Sequence, residues 1–273
     1  MPPPASGQPQ DILLPTSETS GDRSRQPSIT RARQRWTHLW IPLLIFAAAI
    51  AVITWQHFDW RLAHSLYAGQ GDAWPLRKAF LTETLIHKRG HDLSVAAWLA
   101  ALVTWLVALK REALRPWRRP LGYLLLSVLL STLLISWIKS WSNIDCPWDT
   151  VGLGGDRPYV SVFSIRPAGL PHGRCFPAGH ASGGYAWMAL YFFFLMIRPH
   201  LRWRGLAIGV GAGLVFGIAQ QIRGAHFVSH DLWTAMLCWM VAFGLYRVFQ
   251  RNNVVAGPAS PSTDFKQPSD SPG

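Results

Sequence analysis

The sequence predicts an all-α membrane protein, a bundle of six transmembrane helices with a short interfacial helix and a large outer loop. Long apolar runs, basic residues at alternate connections and 15 tryptophans, several near the ends of those runs, support this fold class. A helix that crosses a bilayer needs about 20 mostly apolar residues. Six stretches meet or approach this length: 37–55, 92–109, 120–138, 181–197, 204–222 and 231–249.

The two ends of the chain differ from this apolar body. Residues 1–34 and 253–273 are rich in Pro, Ser and charged residues and have too few apolar side chains to form a core, which predicts disordered cytoplasmic tails. Residues 35–252 are expected to form one transmembrane domain. The N-terminus has no early apolar core with a small-residue cleavage site, so we expect the first apolar run to remain as an uncleaved span.

Basic residues set the predicted orientation of the bundle. They cluster before the first span, between the second and third, between the fourth and fifth, and after the sixth. The positive-inside rule places these segments and both termini in the cytoplasm, and the connections 56–91, 139–180 and 223–230 outside. Residues 58–62 in the first of these are expected to lie along the interface as a short amphipathic helix. Because the net charge of +12 gathers at span ends, we expect no nucleic-acid partner.

Ionisable residues also gather at the outer ends of the predicted spans, in three short stretches. These run from Lys139 to Pro147, from Cys175 to Ser182 and from Arg223 to Asp231. Charged groups at such positions are costly unless they face a cavity, so the three stretches are candidates for a functional site.

The second stretch contains Pro177, Ala178, Gly179 and His180, where the outer loop turns into the fourth predicted span. Glycine allows a ligand to approach the backbone closely. The N–H groups and positive dipole end at a helix N-terminus suit a phosphate, which Ala178 and Gly179 would then bind. His180 could give a proton to a departing alcohol. Alternatively, His180 only hydrogen-bonds an interfacial carbonyl.

The third stretch places Arg223, His226 and His230 on neighbouring faces if it is helical. An imidazole nucleophile at His226 needs an acceptor on its other ring nitrogen, and His230 or Asp231 could supply it. Arg223 could neutralise phosphoryl oxygens. The alternative is a polar loop cap that touches only water and head groups.

A zinc site built from the histidines at 180, 226 and 230 is also conceivable. Lys139 and Arg223 would repel a cation there, so we predict no metal and no other cofactor.

Together the three stretches resemble the type 2 phosphatidic acid phosphatase superfamily, over roughly residues 92–249. The family pattern is Lys-x6-Arg-Pro, then Pro-Ser-Gly-His, then Ser-Arg-x5-His-x3-Asp, and the six-span layout matches the membrane members. The resemblance implies that Lys139 binds phosphate, that His180 is the general acid and that His226 is the nucleophile that forms a phosphohistidine.

The chain departs from the family pattern at several positions. Cys146 stands in place of the first-motif arginine and Ala178 in place of the second-motif serine. In the third motif, Gln220 replaces the arginine and His230 the aspartate, with Asp231 one residue later.

Lys139 and Arg223 are therefore expected to do work that the family divides among one lysine and two arginines. Further arginines in the outer loop are candidates for the missing charge: Arg157, Arg166 and Arg174.

Cys146 and Cys175 lie in the same outer loop, beside the first and second stretches. The outer side of a bacterial inner membrane is oxidising, so we expect a disulfide between them. It would link the end of the Lys139 segment to the start of the His180 helix. The alternative is two free thiols.

The resemblance implies a metal-independent phosphatase of the bacterial inner membrane, with a periplasmic active site. Its substrate would be a phosphomonoester or pyrophosphate of a lipid, and its partners membrane lipids, with no obligate protein partner evident. Alternatives are a lipid-to-lipid phosphotransferase and a non-catalytic lipid-binding protein on the same scaffold. A transporter is disfavoured because the ionisable residues lie at outer span ends rather than at the midplane.

Overall fold

The computed structural model describes residue 34 and residues 36–255 of the chain, with side chains up to residue 251. All regular structure in this part of the chain is helical, which confirms the all-α class. We number the α-helices in chain order: α1 (Ile41–Trp55), α2 (Phe58–Ala68), α3 (Gly90–Lys110), α4 (Arg115–Trp141), α5 (Gly179–Tyr185), α6 (Ala189–Ile197), α7 (Arg202–Ile222) and α8 (Val228–Val255). Residues 1–33 and 256–273, and with them most of both predicted tails, lie outside the described residues.

Five helical stretches are long and apolar enough to cross a membrane, which indicates a membrane protein: Trp36–Trp55, Pro75–Lys110, Glu112–Trp141, Pro199–Ile222 and Val228–Arg251. They overlap five of the six predicted spans. The remaining predicted span, 181–197, is instead divided into α5 and α6 by a 3-10 turn at Ala186–Met188. Neither half is long enough by itself to cross a bilayer, so a sixth span stays a prediction.

The second helical stretch begins earlier than the sequence predicts. A π-helical segment, Phe80–Arg89, leads directly into α3, whereas the sequence places these residues in a loop. Because many of their side chains are polar, hydropathy does not predict this helix. Several of those side chains form hydrogen bonds or ion pairs within the fold. The Thr82 hydroxyl donates to the Leu76 carbonyl, and Glu83 pairs with Arg223.

The short helix expected near residues 58–62 is present as α2, and it is hydrogen-bonded to the start of α8. The Asp59 carboxylate is buried and accepts the Ser229 backbone N–H at 2.9 Å. An acidic group at a helix N-terminus satisfies an otherwise unpaired N–H and interacts favourably with the helix dipole. Burial raises the pKa of Asp59, although the bond from Ser229 opposes that shift. The position of α2 along a membrane interface stays a prediction.

A stripe of glycines on α7 allows this helix to pack closely against α5 and α6. A methyl group on Gly209 would lie 2.2 Å from the Met188 backbone nitrogen, and one on Gly213 would lie 2.1 Å from the Tyr185 ring. Small residues spaced by four let two helix backbones approach each other, which is a common device in membrane bundles. The stripe thus fixes α7 against α5, the helix that carries His180.

The outer loop between α4 and α5 is cross-linked and charge-paired. It contains the expected disulfide between Cys146 and Cys175, whose Cα atoms are 5.1 Å apart. Asp145 is buried and forms ion pairs with Arg166 at 2.7 Å and Arg157 at 2.5 Å. A buried carboxylate is tolerated when cationic donors surround it. These contacts hold the loop against the end of α4.

Candidate active site

A cavity of about 320 Å³ opens where the ends of α3, α4, α5 and α7 meet. It combines apolar walls with histidine, lysine and amide groups, as ligand pockets do. Its polar lining includes Lys139, His180 and Gln220, together with two histidines from the second helical stretch, His87 and His91.

Lys139, on the last turns of α4, lines this cavity beside the start of α5. Its Nζ would lie 3.4 Å from a methyl group built on Gly179, so the ammonium group lies close to the start of α5. Among the described residues, no carboxylate lies within ion-pair distance of Lys139 and no hydrogen bond engages it. Its charge is therefore available to an anion in the cavity.

His180, at the second residue of α5, is half-buried and stacks on His87. The two ring centroids are 3.6 Å apart, with an angle of 29° between the ring planes. This contact fixes the plane of the His180 ring at the cavity wall. Both edges of the ring stay outside the stack, so a ring nitrogen can exchange a proton with a ligand.

His226 lies in the short connection between α7 and α8 and is 4% exposed. The connection turns at Gly224, whose φ of +71° favours glycine, and the Ala225 N–H donates back to the Gln220 carbonyl at 2.9 Å. The His226 Nδ1 lies 2.7 Å from the Cys175 carbonyl oxygen. Because a carbonyl only accepts, Nδ1 carries the hydrogen, and Nε2 of the neutral ring keeps its lone pair.

Burial lowers the pKa of His226 well below its ordinary value, and the charges of Lys139 and His230 lower it further. The ring is therefore neutral at neutral pH, as a nucleophile requires. His226 is not among the residues that line the cavity. The effects of Lys139 and His180 on its pKa nevertheless place it in the same electrostatic environment.

His230 and Asp231 do not orient His226, contrary to the expectation from the sequence. The acceptor for Nδ1 is the Cys175 carbonyl, which the disulfide at Cys146 holds in place. Asp231 instead accepts from Gln221 and lies against Gly217 on α7. His230 is buried beside His226 with a ring-centroid distance of 5.9 Å, and its Nδ1 has no hydrogen-bond partner among the described residues.

Arg223 is also placed differently from its expected position on the phosphate. It is 6% exposed, and all three of its nitrogens are engaged. Nε donates to the Arg77 carbonyl at 3.0 Å, Nη1 donates to His87 Nδ1 at 2.9 Å, and Nη2 pairs with Glu83. Arg223 does not line the cavity, but it contacts two residues that do, His87 and Gln220.

The backbone groups expected to bind phosphate are only partly available. The Ala178 N–H donates to the Thr234 hydroxyl at 2.9 Å, which takes it away from a ligand. Gly179 and His180 begin α5 and line the cavity, so their N–H groups remain candidates.

Two of the outer-loop arginines considered for the missing charge are used elsewhere. Arg166 pairs with Asp145, and Arg157 pairs with Asp145 and Asp149, so both arginines are engaged by loop carboxylates. Arg174 is exposed, and it is not a cavity-lining residue.

Sequence reasoning missed several groups at this site, including His87, His91, Gln220 as a cavity residue, and the Cys175 carbonyl. A signal for His87 was present, because His87 and His91 are four residues apart just before the second predicted span, on the same side as His180. Gln220 had been noted only as the replacement for an arginine. No sequence pattern identifies a particular carbonyl.

No curated protein and no solved structure gives a significant match to this chain. The family model of the PAP2 superfamily matches residues 120–254. The matched region includes Lys139, His180 and His226. The match over these residues is consistent with a member of the PAP2 superfamily.

Proposed function

We propose that this protein is a membrane lipid phosphatase that works through a phosphohistidine on His226. The match to the PAP2 superfamily model supports phosphatase activity in general. The observation that carries the specific proposal is the 2.7 Å contact between His226 Nδ1 and the Cys175 carbonyl. It leaves Nε2 as the nucleophilic atom of a neutral imidazole, in the same environment as Lys139 and His180.

The proposed reaction has two steps. Burial and the neighbouring His87 lower the pKa of His180 to about 3, so His180 is neutral in the empty site and takes its proton from the monoanionic phosphate ester as that ester binds. The lone pair of His226 Nε2 attacks phosphorus in line, the bond from phosphorus to the lipid oxygen breaks, and His180 gives that oxygen its proton. A water molecule, deprotonated by the now neutral His180, then attacks the phosphohistidine. The bond between phosphorus and Nε2 breaks, inorganic phosphate leaves with the proton that His180 took from water, and both histidines return to their starting states.

Charge on the phosphoryl oxygens needs fixed donors as the transition state forms. Lys139 supplies a charge that no carboxylate among the described residues neutralises, and the N–H groups of Gly179 and His180 lie at the same wall. Attack requires Nε2 to come within about 3–3.5 Å of phosphorus. Because His226 is buried behind the cavity lining, substrate binding has to widen the space between His180 and His226.

A lipid substrate and a periplasmic site are further parts of the proposal. The cavity lies at the ends of apolar helices, and its lining includes Ile86 and Phe216, which suits a phosphate at head-group depth with acyl chains beside the bundle. The basic connections indicate which side is cytoplasmic. The Cys146–Cys175 disulfide, in the loop opposite those connections, fits an oxidising compartment.

The test is release of inorganic phosphate by the full-length protein in detergent, with EDTA present. A panel would include phosphatidic acid, phosphatidylglycerophosphate and a polyprenyl pyrophosphate, each assayed with wild type and with His226→Ala. We expect release by wild type and a loss of at least about 10³-fold in the variant, since removing the residue that forms the covalent intermediate eliminates the pathway.

The matched control is His64→Ala, a histidine on α2 that is exposed and does not line the cavity, and its rate is expected to equal that of wild type. Loss of activity in EDTA would refute the metal-independent mechanism. Full activity of His226→Ala would refute the phosphohistidine.

A further inference from the structure

We propose that His87 is a phosphate-binding residue, a neutral N–H donor that is polarised by Arg223 and replaces an arginine at the cavity wall. The inference rests on the proposed function, because it assigns a ligand to the same cavity. His87 belongs to the π-helical segment Phe80–Arg89, outside the region that matches the PAP2 family model.

The hydrogen bonds of His87 determine its tautomer. Arg223 Nη1 lies 2.9 Å from His87 Nδ1, and Gln220 Nε2 lies at the same distance. A guanidinium group only donates hydrogen bonds, so Nδ1 must be the acceptor and carries no hydrogen. The neutral ring therefore has its hydrogen on Nε2, which makes that edge a donor.

The contacts of the ring leave this donor group available to a ligand in the cavity, since Nδ1 is engaged by Arg223 and Gln220. His87 lines the cavity and stacks on His180 at a centroid distance of 3.6 Å. No protein group among the described residues forms a hydrogen bond with Nε2. A phosphoryl group that His180 can reach is therefore also within reach of the neighbouring ring.

Arg223 can influence a ligand through His87, although Arg223 itself does not line the cavity. Arg223 is buried, and Glu83 pairs with one end of its guanidinium. The other end donates to His87 Nδ1, which withdraws electron density from the ring and makes Nε2–H a stronger donor. The position six residues before His226 is Gln220, whose amide donates to the same nitrogen. Through these hydrogen bonds Arg223 polarises a donor at the cavity wall, although its own side chain does not line the cavity.

A purely structural role is the competing explanation. In that case, His87 would serve only as a flat surface for the His180 ring, and a phenylalanine would replace it. The test therefore uses His87→Phe, which keeps the stacked ring and removes both nitrogens. His87→Gln is the conservative variant, because its amide can still accept from Arg223 and donate into the cavity.

The measurement is binding of inorganic phosphate to the full-length protein in detergent, by isothermal titration. We expect His87→Phe to bind phosphate about 10-fold to 100-fold more weakly, the usual range for losing a hydrogen bond to a charged group. His87→Gln should recover to within about fivefold of wild type, because it restores one donor. His64→Phe is the control, since His64 is an exposed histidine on α2 that does not line the cavity, and it should bind like wild type.

Thermal unfolding of each variant checks the fold, so that weak binding by an unfolded protein is not counted. Phosphate binding by folded His87→Phe that equals wild type, or an equal loss in His64→Phe, would overturn the inference. An absence of phosphate binding by wild type would overturn it as well.

The outcome is separable from that of the proposed function. Binding that depends on His87, together with full hydrolysis by His226→Ala, would refute the phosphohistidine and keep the His87 site. Hydrolysis that requires His226, together with normal phosphate binding by His87→Phe, would do the reverse.

Discussion

At the scale of single residues, the chemistry depends on which ring nitrogen of each histidine already has a hydrogen-bond partner in the protein. The Cys175 carbonyl occupies Nδ1 of His226, and Arg223 occupies Nδ1 of His87. His180 has a stacking partner but no hydrogen bond to another described side chain. It is therefore the histidine best able to exchange protons with a ligand, as a general acid must.

This assignment predicts that the effect of His180→Asn depends on the leaving group. A lipid alcohol is a poor leaving group and needs the proton, so its release should slow by about 10²-fold to 10⁴-fold. A nitrophenolate leaves without protonation, so phosphoenzyme formation from nitrophenyl phosphate should survive. Hydrolysis of the phosphoenzyme should then stop, because no base activates the water molecule.

Rapid-mixing measurements on His180→Asn should therefore give a burst of nitrophenolate equal to the enzyme concentration, followed by a stop. His226→Asn should give no burst. Equal losses on both substrates without a burst would exclude His180 as the general acid.

At the scale of helices, the site depends on how closely α7 approaches α5 and α6. Gly209 faces the Met188 backbone on the 3-10 turn between them, and Gly213 faces the Tyr185 ring. Gly211 lies on the same helix but is exposed, with open space where a methyl group would be added. The two positions therefore separate the effect of packing from the effect of helix propensity.

We predict opposite changes in stability for Gly209→Ala and Gly211→Ala. The first places a methyl group 2.2 Å from the Met188 nitrogen and must shift a backbone. Overpacking of this kind costs about 1–3 kcal/mol. The second adds helix propensity in open space and should stabilise by up to about 1 kcal/mol.

Thermal unfolding in detergent measures both variants against wild type. A lower midpoint for Gly209→Ala and an equal or higher one for Gly211→Ala is expected. Equal shifts of the same sign would mean that the glycine stripe does not control the contact.

At the scale of the whole molecule, the proposed topology places the outer loop and the cavity on the side opposite the basic connections. Ile165 in the outer loop is 97% exposed. Glu112 lies between α3 and α4, at a basic connection, with its side chain 77% exposed. The two positions therefore report on the two sides of the membrane.

Single cysteines at these positions test the topology. In intact cells, a membrane-impermeant maleimide should label Ile165→Cys, and it should label Glu112→Cys only after the membrane is opened. Wild type is the control, because Cys238 is buried and the other two cysteines form a disulfide. The reverse labelling pattern would refute a periplasmic active site.

The sequence by itself determined the helical class and the approximate place of most helices. A segment that crosses a bilayer has to satisfy its backbone internally and be apolar over about 20 residues, and both conditions are local. The disulfide could also be predicted from the sequence, because Cys146 and Cys175 lie in one loop. The π-helical segment Phe80–Arg89 was missed because its polar residues are stabilised by distant partners.

Only the tertiary structure decided the contacts that give the site its chemistry. Arg223 meets Glu83, a residue 140 positions earlier, and His226 meets a carbonyl 51 positions earlier. Arg157 and Arg166 form ion pairs with Asp145 and do not line the cavity. Every residue has a carbonyl, and every arginine can pair with many carboxylates, so the partner is chosen by proximity in the folded bundle. Local sequence patterns do not encode that proximity.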